Sequence, residues 1–221
     1  MKQPPHGADS TAPPAPPSAR EVFSRALPTA ETFAELLAGE ATVRGLIGPR
    51  EVPRLWERHL LNCAVISDLM PRGASVADIG SGAGLPGLVL AIRRPDLNLT
   101  LVEPLLRRTT FLELAVSRMG LDNVTVHRGR AEEMHSAPEW SEGFDVVTSR
   151  AVAPLDRLAR WSLPLVRSGG LFLAMKGSSA QEELDRAGAV IRRLGGVQPR
   201  VQTVGAEWRS PPVTVVSVRA R

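Results

Sequence analysis

Cysteine, tyrosine and lysine are almost missing from this chain. A single cysteine, Cys63, in 221 residues excludes a disulfide framework and any zinc site built from several thiolates. Tyrosine is absent and aromatic residues make up only 4% of the sequence, so the aromatic-rich signature of a stacking RNA-binding module is missing. No apolar run approaches the roughly 18 residues of a membrane span. The start of the chain lacks the basic and apolar stretches of a secretory leader. A reduced, soluble, cytoplasmic and monomeric protein without a metal site is expected.

What is present is a modest cationic excess. Lys and Arg number 27 against 23 Asp and Glu, a net charge of +4. This permits an anionic partner such as RNA without demanding one. Only Lys2 and Lys176 are lysines, and the remaining basic residues are arginine. GC-rich coding accounts for that skew, yet it sets Lys176 apart within its glycine-flanked segment. With 43% hydrophobic residues, a core that buries about 70% of the chain's surface is attainable.

Three regions follow from the order of residues. Residues 1–19 are rich in Pro, Ala and Ser, lack apolar bulk, and are expected to form a disordered tail. Residues 20–72 are helical, with Val52, Leu55, Trp56, His59, Leu60, Cys63 and Ile66 on one stripe and Pro53 in a first turn. Residues 73–221 alternate strands and helices. Strands are expected at 75–78, 97–103, 124–127, 144–149, 171–175, 199–204 and 213–219, and helices at 86–94, 105–119, 155–166 and 179–194. Gly120 caps the second helix. This alternation predicts an α/β, Rossmann-like seven-stranded sheet with helices on both faces, a terminal β-hairpin and an N-terminal helical extension.

The chemistry concentrates at strand ends. Asp78-Ile79-Gly80-Ser81-Gly82-Ala83-Gly84-Leu85-Pro86-Gly87 runs from a strand through a glycine loop into a helix. Gly80, Gly82 and Gly84 let the backbone turn sharply and approach a ligand. Gly82-x-Gly84-x-x-Gly87 suits a dinucleotide, and the loop as a whole equally suits S-adenosylmethionine. Glu103, closing the second strand, could accept both ribose hydroxyls of either cofactor. Ala131 and Glu132 follow the third strand, where a backbone N–H could reach an adenine edge. Arg150 follows the fourth strand and could pair with a cofactor carboxylate or an RNA phosphate. Lys176 follows the fifth and offers a point charge suited to phosphate. On the apolar stripe, His59 reads as a semi-buried histidine or a substrate-positioning group beside Arg58 and Asn62.

Five segments occur in order over residues 50–180: Arg58-His59-Leu60-Leu61-Asn62, Asp78 through Gly87, Arg130-Ala131-Glu132, Ser149-Arg150-Ala151 and Lys176-Gly177. In this the chain resembles the bacterial 16S rRNA guanine-N7 methyltransferases, the glucose-inhibited division protein B family. The resemblance implies a class I methyltransferase fold, S-adenosyl-L-methionine as cofactor, and 16S ribosomal RNA or the small ribosomal subunit as partner. It implies methylation of N7 of a guanine in the decoding-region loop. It carries cofactor contacts onto Gly80, Leu85, Glu103, Ala131, Glu132 and Arg150, to which the loop adds Gly82 and Gly84. No catalytic residue is assigned, and Arg58, His59 and Lys176 are candidates for positioning the substrate. The competing expectations are a small-molecule methyltransferase of the same fold and a nicotinamide-dependent oxidoreductase.

Overall fold

The computed structural model describes residues 11–150, 153–206 and 212–221. Residues 1–10 of the expected tail, Ala151 of the Ser149-Arg150-Ala151 segment, and residues 207–211 lie outside them. The chain opens with α1 (Pro17–Phe23) and α2 (Leu27–Leu36), the latter continued by a π-helical turn, Leu37–Ala41. A second helical stretch winds tightly as a 3-10 helix over Pro49–Arg54, then widely as a π helix over Leu55–Leu61. It continues through α3 (Asn62–Ala64) into a further 3-10 turn, Val65–Leu69. The expected helical stripe is there, but Pro53 sits inside the tight segment rather than opening a regular helix.

The sheet comprises β1 (Ser75–Ile79), β2 (Asn98–Val102), β3 (Val124–His127), β4 (Phe144–Arg150), β5 (Val166–Lys176), β6 (Gly196–Val204) and β7 (Val213–Ala220). Between them run α4 (Gly87–Arg93), α5 (Leu106–Met119), α6 (Ala131–Met134), α7 (Leu155–Ser162) and α8 (Ala180–Arg193). The strand order is β3-β2-β1-β4-β5-β7-β6, with β7 antiparallel to both β5 and β6. Parallel strands buried on both faces need apolar residues on both sides, and two apolar clusters supply them. One is built on Phe33, Leu88 and Phe111, and the other on Leu158, Phe172 and Ile191. Successive strands add outward from β1 to β2 and β3 and then on the other side of β1 from β4, so the order of addition switches between β1 and β4, the point where a doubly wound sheet opens a crevice at its C-terminal edge.

The N-terminal region is fastened to the sheet layer. Arg93 of α4 donates to Ser67 Oγ (2.9 Å), to the Val22 carbonyl of α1 (3.1 Å) and to Asp68 (3.0 Å). The expectation of a disordered tail fails for residues 11–19. Ala19 is fully buried, Ala12 and Ala15 pack on the core, and Trp56 Nε1 donates to the Pro13 carbonyl at 2.8 Å. The apolar bulk comes from the core on which the segment packs, Trp56 and Phe23 among it, so the segment's own composition misjudges what its docking buries.

Candidate functional site

Local geometry builds the loop between β1 and α4. Gly80, Gly82 and Gly84 have φ of 71°, 57° and 87°, the left-handed region that side chains resist. A Cβ on Gly82 would meet only Gly80 O, at 3.8 Å, so this position faces open space. A Cβ on Gly84 would lie 2.7 Å from Leu88 Cγ, and one on Gly87 would lie 2.7 Å from Asp78 Oδ2. Gly84 and Gly87 therefore allow the loop to close onto α4 and β1, while Gly82 keeps a surface clear. Asp78 is fully buried, and its Oδ2 accepts the Gly87 N–H at 3.0 Å. Burial pushes its carboxyl up to about 7, against the hydrogen bond from Gly87. Its Oδ1 has no hydrogen-bond partner among the described residues.

A cavity of about 420 Å³ lies beside the loop, lined among others by Gly80, Glu103, Ala131, Glu132, Arg150 and Trp161. Five of the eight expected cofactor residues are brought together here. Gly82, Gly84 and Leu85 are not among its lining residues, and Leu85 is buried. The Glu103 carboxylate accepts the Gly82 N–H (3.1 Å), the Leu105 N–H (3.1 Å) and an Arg108 N–H (3.3 Å), which holds it at the pocket wall. Size, a glycine face open at Gly82, an aimed acid and an orphaned buried oxygen beneath the loop together fit an adenosyl cofactor with an amino-acid arm.

A wider cleft of about 1090 Å³ adjoins it, lined by Glu51, Arg58, His59, Arg150, Lys176 and Arg186 among others. Among the described residues, Arg150 alone lines both cavities. Its Nη2 lies 2.6 Å from His59 Nδ1, and its Nη1 donates to the Arg58 carbonyl and to Cys63 Sγ, each at 3.3 Å. His59 Nε2 is 3.0 Å from Glu51 Oε2. Burial, then the charge of Arg150, holds the His59 pKa below its ordinary value, with Glu51 opposing. Burial raises the Cys63 thiol.

Lys176 is placed differently from expectation. Its Nζ donates to Glu183 (2.8 Å) and to the Ala153 carbonyl (2.7 Å), with only 7% of the side chain exposed. The same Glu183 accepts the Leu155 N–H at 3.0 Å. Burial disfavours the Glu183 carboxylate, yet hydrogen bonds and charge from Lys176 hold its pKa below the usual value. Lys176, expected to offer a point charge suited to a phosphate, has internal partners instead. Its charge is matched inside the fold, where it staples the loop after β4 to the start of α8. Sequence reasoning missed Glu183, seven positions after Lys176, and Glu51, whose role no local pattern announces. Thr148 and Ser149 are also internal: their hydroxyls donate to the carbonyls of Leu173 (3.0 Å) and Ile79 (2.8 Å) on adjacent strands.

The seven-stranded order, the glycine loop and the acid ending β2 define a class I S-adenosylmethionine-dependent methyltransferase. Solved structures agree on the fold. A SAM-dependent methyltransferase from Aquifex aeolicus superposes with a TM-score of 0.58 at 16% identity, covering 80% of this chain and 98% of that one. Precorrin-6y C5,15-methyltransferase from Geobacter metallireducens gives 0.51 at 16% identity, covering 80% and 91%. The family model GidB, rRNA small subunit methyltransferase G, matches residues 26–211, and the chain belongs to that family. Ribosomal RNA small subunit methyltransferase G of Corynebacterium glutamicum (strain R) is 56% identical over 204 residues, 92% of this chain and 91% of its own. Its counterpart in Nocardioides sp. is 58% identical over 207 residues, 93% and 81%. Family membership sets aside the oxidoreductase and small-molecule expectations. No helix among the described residues is long and apolar enough to cross a membrane.

Proposed function

We propose that this chain transfers a methyl group to N7 of a guanine in 16S ribosomal RNA, acting as a cytoplasmic monomer on the small ribosomal subunit or its RNA. The observation that carries the reading is the junction at Arg150 of a nucleoside-sized pocket with a wide, open cleft, in a chain of this family. S-adenosylmethionine, when bound, supplies an electrophilic methyl group. Glu103 at the end of β2 would take the ribose, Gly80 and Gly82 would leave room for the amino-acid arm, and Ala131 with Glu132 would border the base. Arg150 would meet the carboxylate. Guanine N7 already exposes a lone pair, so no proton has to leave before attack. That fits a cleft in which His59 has both ring nitrogens occupied. The protein's contribution is then orientation.

The exposed cations of the cleft are Arg58, which also pairs with Glu51 at 3.4 Å, and Arg186. We assign these to RNA phosphates. Comparing N7-methylguanine in 16S rRNA from cells with and without this protein tests the whole reading. An unchanged methylation map refutes it, and wild-type protein without affinity for S-adenosylhomocysteine refutes the cofactor pocket.

A further inference from the structure

We propose that Glu51 and His59 form a positioning pair that aims the Arg150 guanidinium at the boundary between the two cavities while leaving its charge free for a ligand carboxylate. The inference rests on the smaller cavity being the cofactor pocket.

Proton inventory dictates the polarity of the chain. A guanidinium has donors and no acceptor. The 2.6 Å contact from Arg150 Nη2 therefore requires His59 Nδ1 to be bare, and the ring proton sits on Nε2, facing Glu51 Oε2 at 3.0 Å. Both ring nitrogens are used, the ring is neutral, and His59 has no site left to serve as a base. The remaining grips on Arg150, from the Arg58 carbonyl and Cys63 Sγ, come from the same N-terminal segment. One helical layer thus orients a side chain that lies about ninety residues later, at the end of β4.

The comparison with Lys176 shows what the imidazole achieves. Lys176 meets its carboxylate directly and its charge is matched. Among the described residues no carboxylate pairs with Arg150; the anion of Glu51 reaches it only through a neutral ring. A neutral acceptor orients a cation without neutralising it, which a pocket for a carboxylate requires. Protonation of His59 would set an N–H against the guanidinium and release it. The charged and titratable groups acting on His59 or on its partners are Glu51, Arg54, Arg58, Cys63, Asp78 and Arg150.

Two replacements separate the ends of the relay. Asparagine places an acceptor where Nδ1 stands, and glutamine places its amide where Nε2 stands. Calorimetry with S-adenosylhomocysteine on the full chain should show His59→Gln weakened by about tenfold, one charge-assisted hydrogen bond, and His59→Asn weakened less. Equal losses, or tighter binding by His59→Gln, would overturn the pair as an aiming device. Wild-type protein that binds nothing would instead sink the cofactor reading. Independently of any variant, a long-range ¹H–¹⁵N spectrum of the wild-type protein at neutral pH should show His59 as the Nε2–H tautomer. An Nδ1–H tautomer or an imidazolium there overturns the proposal even if neither variant folds.

Discussion

The pocket over the glycine loop takes its walls from short consecutive runs that follow β1, β2 and β3, whereas the cleft beside it collects Glu51, His59, Lys176, Glu183 and Arg186 from widely separated stretches. The first is a backbone construction: positive φ at three glycines and a carboxylate held by two backbone N–H groups. The second is a side-chain construction, in which Glu51 steadies Arg150 at the end of β4 through His59 and Glu183 steadies Lys176 at the end of β5 directly. Damage to the first should remove ligand and spare the fold. Damage to the second should be felt in stability and orientation, because buried charges are left unmatched.

The largest effect is expected from Gly82→Val. The branched side chain enters the open space at that loop, and S-adenosylhomocysteine affinity should fall at least about 100-fold, since the ligand and the side chain would claim the same volume. The left-handed φ adds a strain of about 1–2 kcal/mol, so Tm should drop only a few degrees. Retained binding would show that the ligand does not pass Gly82.

Lys176→Met breaks the cleft from the other side. It strands Glu183, whose side chain is 18% exposed, and should cost about 2 kcal/mol, less than the loss expected for a fully buried pair. A thermal scan should fall by about 4–8 °C. The salt dependence of rRNA binding should stay as in wild type, and Arg186→Ala should lower that slope by about one unit. A lowered slope with unchanged Tm in Lys176→Met would restore the phosphate role and erase the contrast between Lys176 and Arg150.

Asp78→Asn sharpens the comparison through pH. The unfolded carboxyl titrates near 3.9, and in the fold it is raised to about 7, so the folded state binds the extra proton between these values. Stability is therefore lost as pH rises through that window, and above about 7 the ionised carboxylate carries its full burial penalty. Asparagine avoids this and can still accept the Gly87 N–H. The Tm of the variant should exceed wild type by a few degrees above neutrality, with the gap closing toward pH ~4. A gap independent of pH would show that Asp78 is not strained by its charge.

The smallest effect concerns neither cavity. A chain beginning at Arg20 loses the Pro13 acceptor of Trp56, the buried Ala19 and the first three residues of α1. About 1 kcal/mol, or 2–4 °C, should go, with cofactor affinity intact. No change in Tm would mean that the docked segment contributes nothing.

Much of the fold could be read directly. Seven strands, the terminal hairpin and the left-handed Gly120 cap stand where residue order places them. Strand β5 is a partial miss. It was expected from Leu171 but starts at Val166, because Ser168-Gly169-Gly170 reads as a turn. Register with β4 shifts there, the strand continues through the irregularity, and the preceding helix stops early at Ser162. The pocket residues Gly80, Glu103, Ala131, Glu132 and Arg150 are legible because each ends or closely follows one of the parallel strands β1 to β4, whose C-terminal ends converge on one edge.

What the chain determines by itself is whatever a few neighbouring residues demand of their own backbone: where glycine is needed for a positive φ, where a strand stops, and which acid follows β2. Only the tertiary structure decided what each charge meets. Lys176 and Arg150 follow adjacent strands and looked like similar cations. One turned out to be matched by Glu183 and the other to be held by His59, whose proton Glu51 draws to the far side. The Pro- and Ala-rich segment before α1 is half-buried at Ala12, Pro13 and Ala15 for the same reason, through a contact with Trp56 that its own composition does not announce. Burial and charge compensation are properties of pairs brought together by folding, and no single stretch of sequence carries both members.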